Sequence, residues 1–137
     1  MRFLMMNSMF LFAMTYVFGN VVLDLYSSPK RDSYLAGILE EIDKVTAEHP
    51  SGLDSTEAVE KIIRADSAIR ESMRLSDVGA YSMFRDVVGD KPVDIGDGLM
   101  APPGTRMCYP TQPIHVDPDF YEDPLRFAAS HVRMGRS

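Results

Sequence analysis

The sequence predicts an α+β fold in which residues 1–76 are helical and residues 77–137 hold short strands and proline-rich loops. Apolar residues recur at helical spacing in the first part. Seven of the nine prolines lie at or beyond Pro92, which excludes long helices there and favours strands joined by turns. With 137 residues, 45% of them hydrophobic, the chain is long enough for a single domain with a core.

Charge and cysteine content exclude several classes of protein. The formal net charge is -6 and no run of Lys or Arg opposes it locally, so nucleic acid is not an expected partner. A single cysteine, Cys108, excludes an internal disulfide framework and any metal cluster held by several cysteines.

The first element is a nearly continuous apolar run from Phe3 to Leu25. Its length is near the ~20 residues of a spanning helix, so one interpretation is a signal peptide or membrane anchor. Polar residues interrupt the run throughout, it has no Ala-x-Ala cleavage site, and no basic stop follows Asp24. These features favour a buried core helix, and the signal or anchor interpretation stays open beside it.

A second helix follows, with leucine, isoleucine and valine at helical spacing between residues 35 and 45 and charged residues on the opposite face. It ends at the residues around Pro50, beside which His49 is expected to be a solvated loop residue. Asp54 and Glu57 have the spacing of a capping box, which predicts the start of the next helix.

Glu71 and Arg74 lie three residues apart in the last helix of this part and therefore share a face. A guanidinium can bind a carboxylate through two parallel hydrogen bonds, and the pair can hold the structure firmly when it is shielded from water. The same spacing on a solvated helix contributes only about 0.2–0.5 kcal/mol. The spacing alone does not decide between the two.

The second part is expected to contain two separate strands and, between them, a hairpin of two further strands. Tyr81 to Val88 is typical of a strand. Residues 93–95 and 99–100 are predicted to form the arms of a hairpin around Gly96–Asp97–Gly98. Thr105 to Tyr109 should form a further strand after Pro103–Gly104.

Several short motifs occur in a fixed order along the chain. Glu71-x-x-Arg74 is followed by Phe84–Arg85, by the segment 97–105, by Ile114–His115–Val116–Asp117–Pro118 and by residues 121–127. This ordered combination resembles the cytochromes P-450, the haem-thiolate monooxygenases, and particularly their fungal members. Residues 12–29 look like the C-terminal half of the family's long distal helix, so the resemblance covers almost the whole chain as a partial member.

The resemblance implies roles for individual residues. Glu71 and Arg74 would be two members of the family's Glu-Arg-Arg structural triad, and His131 stands where the third member, an arginine, is usual. Histidine lacks the fixed charge and fork geometry of arginine. Arg85 would pair with a haem propionate, although a surface arginine at a strand edge fits the sequence equally well.

A substrate-facing loop is also implied just after the Glu71/Arg74 helix. Its lining would be Val78, Gly79, Ala80 and Tyr81. The small side chains in this set leave room for a bulky apolar ligand.

The chain also departs from the family. On the distal helix Ala13 fits a small-residue position, but Met14 replaces a glycine or alanine, and Val17 stands where a proton-relaying threonine is usual. Thr15 lies on a different helical face and is not an obvious substitute. Cys108 is not in the Phe-x-x-Gly loop that carries the haem thiolate, and is expected to be a small buried hydrophobe. His115 is expected to position the loop before Pro118.

The function that the resemblance implies is oxygen insertion into an apolar small molecule of secondary metabolism. Haem is the family's cofactor, although this chain is not expected to bind it, and a flavin reductase would supply electrons. The expectation is an inactive or truncated member, in the cytoplasm or at the endoplasmic-reticulum membrane. The alternatives are an accessory or binding role in an oxidative pathway, and a small secreted or membrane-anchored protein without enzymatic activity.

Overall fold

The computed structural model describes residues 2–49, 52–77 and 79–129, with side chains from residue 7 onward. The helices and two small antiparallel sheets confirm the predicted α+β class. The helices are α1 Arg2–Ser27, α2 Arg31–Glu48, a 3-10 turn at Gly52–Asp54, α3 Thr56–Val59, α4 Ile63–Leu75 and α5 Thr111–His115. The strands are β1 Ser82–Asp86, β2 Val93–Asp94, β3 Met100–Ala101 and β4 Arg106–Tyr109.

The chain divides into two compact units. The helical unit comprises Met1–Val78 and Leu125–Ser137, and the β unit comprises Gly79–Pro124. In the helical unit the buried core is formed by Val21 and Leu25 of α1 and Ala68 of α4. Five partly buried residues pack around it, namely Val17, Tyr34, Ile38, Phe127 and Ala129.

Helix α1 corrects the expectation of a buried core helix. The apolar run is helical, but only a narrow face of its C-terminal half is buried, at Val21 and Leu25. Large apolar side chains from Met9 to Phe18 are exposed. By length and composition alone Asn7–Ser27 could cross a membrane, a criterion that core helices and signal sequences also meet.

Helices α2 and α4 are joined by polar contacts at the start of α4. The Glu41 carboxylate accepts the Arg64 backbone N–H at 2.8 Å, which satisfies one of the N–H groups that a first helical turn leaves unpaired. Gly37 is buried beneath the Arg64 guanidinium. The same guanidinium lies 3.6 Å from Glu40.

Helix α3 begins one residue later than the capping-box spacing predicts. Asp54 belongs to the 3-10 turn, and Ser55 is the N-cap, with its hydroxyl accepting the Ala58 N–H at 3.1 Å. Ser55 has the extended backbone typical of an N-cap. His49, expected in solvent, is the C-cap of α2 and is half-buried, with its N–H bonded to the Val45 carbonyl.

The β unit contains two strand pairs. β1 pairs with β4, and a bulge between Ser82 and Arg85 places Met83 in the left-handed region at φ 55°. β2 pairs with β3 as the predicted hairpin, in which Gly96, Asp97 and Gly98 all have positive φ. The short helix α5 was not predicted, because two prolines flank or interrupt it.

Candidate functional site

Helix α4 carries the residues on which the site depends. Seven of its 13 residues are Arg, Ala, Met or Leu, which favour helix. Asp66 and Arg70 form an i,i+4 ion pair on its exposed face. Buried Ala68 and Ser72 lie four residues apart on the opposite side. The helix therefore turns one polar face to solvent and carries Glu71 and Arg74 into the interior.

Glu71 and Arg74 form a bidentate ion pair. Arg74 Nε donates to Glu71 Oε2 at 2.9 Å, and Arg74 Nη2 donates to Glu71 Oε1, also at 2.9 Å. Glu71 is fully buried and Arg74 is only 6% exposed. The two parallel hydrogen bonds fix both the distance and the relative orientation of the two planar groups.

The pair also holds a distant segment of the chain. Arg74 Nη2 donates to the Arg126 carbonyl at 3.3 Å, and the Ala128 N–H donates to Glu71 Oε1 at 3.0 Å. We call Glu71, Arg74 and these two backbone partners the bracket. It attaches residues 126–128 to α4 through charge-assisted hydrogen bonds in a place shielded from water.

The neighbouring ion pair on α4 shows why burial matters more than distance. Arg70 and Asp66 are closer together, at 2.7 Å, but their side chains are 55% exposed. An exposed pair at this spacing contributes about 0.3–0.5 kcal/mol. Removing one partner of a buried pair instead leaves an uncompensated charge and costs about 3–5 kcal/mol.

The remaining residues of the implied triad and substrate loop are only partly described. His131 and Val78 lie outside the described residues, so the triad and the full loop lining stay predictions. Gly79, Ala80 and Tyr81 are exposed. The Gly79 carbonyl accepts from the Thr111 hydroxyl at 2.7 Å, which ties this loop to α5.

The two residues considered for haem contact, Arg85 and Cys108, are both exposed. Cys108 is exposed on β4, which corrects the expectation of a buried side chain. The exposed Arg85 guanidinium donates to the neighbouring Phe84 carbonyl at 2.9 Å. His115 ends α5. Among residues 2–49, 52–77 and 79–129, no three His, Cys, Asp or Glu side chains are grouped as metal ligands.

The side chains at the distal-helix positions lie on the faces of α1 that their spacing predicts. Val17 packs against the apolar core of the helical unit. Met14 and Thr15 are exposed, and Ala13 is half-buried. A valine side chain has no proton to donate or accept, so position 17 contributes packing alone.

Two contacts at the site were not found from the sequence. The Ala128 N–H is a backbone donor, and nothing in the local sequence marks it. Asp24 accepts a hydrogen bond from the buried Ser72 hydroxyl at 2.6 Å. Asp24 is the only acidic residue in α1, and a lone carboxylate in an apolar helix is a signal that a polar partner lies opposite.

Comparison with known proteins identifies one family. The cytochrome P450 family model matches residues 23–132. The chain is 38% identical over 133 residues to the cytochrome P450 monooxygenase htyF of Aspergillus rugulosus, covering 93% of this chain and 19% of that protein. It is 35% identical over 125 residues to the cytochrome P450 monooxygenase gloP of Glarea lozoyensis, covering 86% of this chain and 23% of that protein.

A third relative has a similar alignment. The cytochrome P450 monooxygenase okaG of Penicillium ochrochloron is 32% identical over 121 residues, which cover 88% of this chain and 22% of the relative. The chain thus spans about a fifth of the length of the curated relatives that it matches.

Proposed function

Because this chain belongs to the cytochrome P450 family, we propose that it supplies the structural bracket of a haem-dependent monooxygenase that oxidises an apolar small molecule of fungal secondary metabolism. The observation that carries the proposal is the fully buried Glu71 carboxylate bonded to both Arg74 and the Ala128 N–H. A flavin reductase is the proposed electron donor. The substrate class rests on analogy with the family.

In this proposal Glu71 and Arg74 form no bond with substrate. They hold residues 126–128 against α4, and so fix the position of this segment within the helical unit. Positioning of this kind matters in an enzyme because a displacement of about 1 Å at a reacting group can reduce the rate about a hundredfold. The bracket therefore acts through geometry.

We also propose that the 137 residues by themselves do not catalyse oxygenation. Its support is that Cys108 is exposed on a strand without a glycine loop, and that Val17 replaces the threonine of the family pattern. In this family the haem thiolate supplies the electron donation that favours O–O cleavage, and Cys108 does not lie in the motif that carries that thiolate.

Haem reconstitution of the purified chain tests the second part of the proposal. After reduction and addition of carbon monoxide, we expect no Soret band of thiolate type. A thiolate-type band that disappears in Cys108→Ala would overturn the assignment, since Cys108 would then be a ligand. Because the sequence has a single cysteine, a Soret band that survives in Cys108→Ala cannot be of thiolate type and leaves the assignment standing.

Segment exchange tests the first part. The matched segment of the Aspergillus rugulosus relative is replaced by the matching segment of this chain, and the full-length chimera is assayed for the thiolate spectrum. We expect the chimera to retain haem, and Arg74→Ala within it to lose haem while Arg70→Ala does not. Equal behaviour of the two arginine variants would contradict a bracketing role.

A further inference from the structure

Asp24 makes a polar contact between helices α1 and α4. Its carboxylate Oδ2 accepts the Ser72 hydroxyl at 2.6 Å, and the two residues are 48 positions apart in the chain. Ser72 is only 1% exposed. A hydroxyl–carboxylate hydrogen bond of this length is charge-assisted, and such bonds are stronger than those between neutral groups.

The apolar contacts of the same interface do little to fix the orientation of the two helices. Val21 and Leu25 lie on the same face of α1 as Asp24, and they pack against Ala68, which shares a face of α4 with Ser72. Alanine and serine side chains are small, and apolar attraction has no preferred direction. A hydrogen bond is directional, so the Asp24–Ser72 bond can set the rotation of α4 about its own axis.

That rotation determines where Glu71 points. Successive residues of an α-helix are turned by about 100°, so holding Ser72 towards α1 directs the adjacent Glu71 about a quarter turn away. In that direction Glu71 Oε1 accepts the Ala128 N–H at 3.0 Å. A rotation of α4 that broke the Ser72 bond would also displace the carboxylate from this amide.

We propose that Asp24 is a positioning residue for the bracket, setting through Ser72 the rotation of α4 at which Glu71 accepts the Ala128 N–H. The inference rests on the proposed bracketing role of Glu71 and Arg74. Its experiment contains no haem and no substrate, so its failure is distinguishable from failure of the proposed monooxygenase function.

The decisive variant replaces both partners together, as Asp24→Leu with Ser72→Ala. Replacing both members of this part-buried hydrogen bond by apolar groups leaves neither partner unpaired, so overall stability should remain near that of the unmodified chain. The readout is the Ala128 amide in the isotope-labelled 137-residue chain. We expect its proton resonance to move upfield and its hydrogen exchange to accelerate by about tenfold or more, as its bond to a charged acceptor lengthens.

A second amide reports whether the effect is local. The Ala58 N–H is bonded to the hydroxyl oxygen of Ser55, the N-cap of α3, and its exchange should not change. The single variant Asp24→Asn keeps an oxygen acceptor and should preserve most of the Ala128 protection, whereas Ser72→Ala should lose it. Asp66→Ala, which removes an exposed carboxylate of α4, serves as the matched control and should change neither amide.

The proposal is overturned if the Ala128 resonance and exchange are unchanged in the double variant. It is also overturned if Ala58 and Ala128 accelerate equally, since that would mean general loosening of the helical unit. Should the double variant fail to fold, the contrast between Asp24→Asn and Ser72→Ala decides: equal Ala128 protection in the two would refute a role for the hydroxyl–carboxylate bond.

Discussion

The Glu71 carboxylate accepts the backbone N–H of Ala128, 57 positions further along the chain, while both of its oxygens are already bonded to Arg74. Glu71 is fully buried, so each of these bonds forms where water does not compete. One side chain thus neutralises a guanidinium and anchors a distant loop. The stability of the helical unit should therefore depend strongly on this ion pair.

Removal of the Arg74 guanidinium should destabilise the chain severely. Arg74→Ala leaves the buried Glu71 carboxylate without its counter-charge, and we expect the free energy of unfolding to fall by about 3–5 kcal/mol in urea titrations. The matched control is Arg70→Ala, which breaks the exposed pair with Asp66 and should cost at most about 0.5 kcal/mol. Similar losses for the two variants would show that the Glu71–Arg74 pair is accessible to water.

Substitution of Gly37 should stabilise the chain. A Cβ at Gly37 would meet Nη1 of Arg64, but that atom ends a flexible side chain that is 58% exposed and whose Glu40 contact is 3.6 Å long. The guanidinium can move into solvent at little cost. Gly37→Ala should therefore gain about 0.5–1 kcal/mol from helix propensity, as measured by urea unfolding.

Gly19→Ala is the control for this substitution, because a Cβ there meets nothing within 4 Å in α1. Both variants should gain a similar amount. A loss of stability in Gly37→Ala alone would mean that Arg64 is held over Gly37 more firmly than its exposure indicates.

The β1–β4 pair should weaken in acid. Arg106 lowers the pKa of Asp86 below its ordinary value of 3.8, first through hydrogen bonds at 2.7 and 3.0 Å and also through its charge, against an opposing desolvation effect. Because the pKa is lower in the folded chain, the stabilisation is present above about pH 3.8 and is lost as the pH falls through the lowered value.

An NMR titration of the Asp86 carboxyl carbon checks this expectation. The midpoint should lie at lower pH in the unmodified chain than in Arg106→Gln, and added salt should reduce the difference because the pair is exposed. Identical midpoints in the two chains would contradict the pairing.

Removal of the helix cap at Ser55 should lower the stability of the chain. Ser55→Ala removes the acceptor for the Ala58 N–H and should lower the free energy of unfolding by about 0.5–2 kcal/mol. Asp54→Ala changes a residue of the preceding 3-10 turn, and should stay within about 0.5 kcal/mol of the unmodified chain. A larger loss of stability for Asp54→Ala would mean that Asp54 is the N-cap, as the sequence spacing predicts.

Much of the local structure could be predicted from the sequence. Apolar periodicity predicted the helices before Ser76, and proline and glycine positions predicted short strands and the hairpin at Gly96–Gly98. These predictions succeed because backbone conformation responds to neighbours a few residues away. The ordered motifs likewise indicated the family that the comparisons confirm.

Burial could not be predicted in the same way. The apolar run in α1 suggested a core helix, but most of its described side chains are exposed, and Cys108 is exposed as well. Burial depends on which elements pack against a surface, and a local pattern does not contain that information.

The sequence by itself determined that Glu71 and Arg74 share a helical face, since their spacing and the helix period require it. Only the tertiary structure decided that the pair is shielded, because shielding needs residues 126–128 to fold back onto α4. Only the tertiary structure likewise brings together Asp24 and Ser72, which lie 48 positions apart and join two helices through their hydrogen bond. The physical reason is that charge pairing changes from a weak to a strong interaction when water is excluded, and distant parts of the chain exclude it.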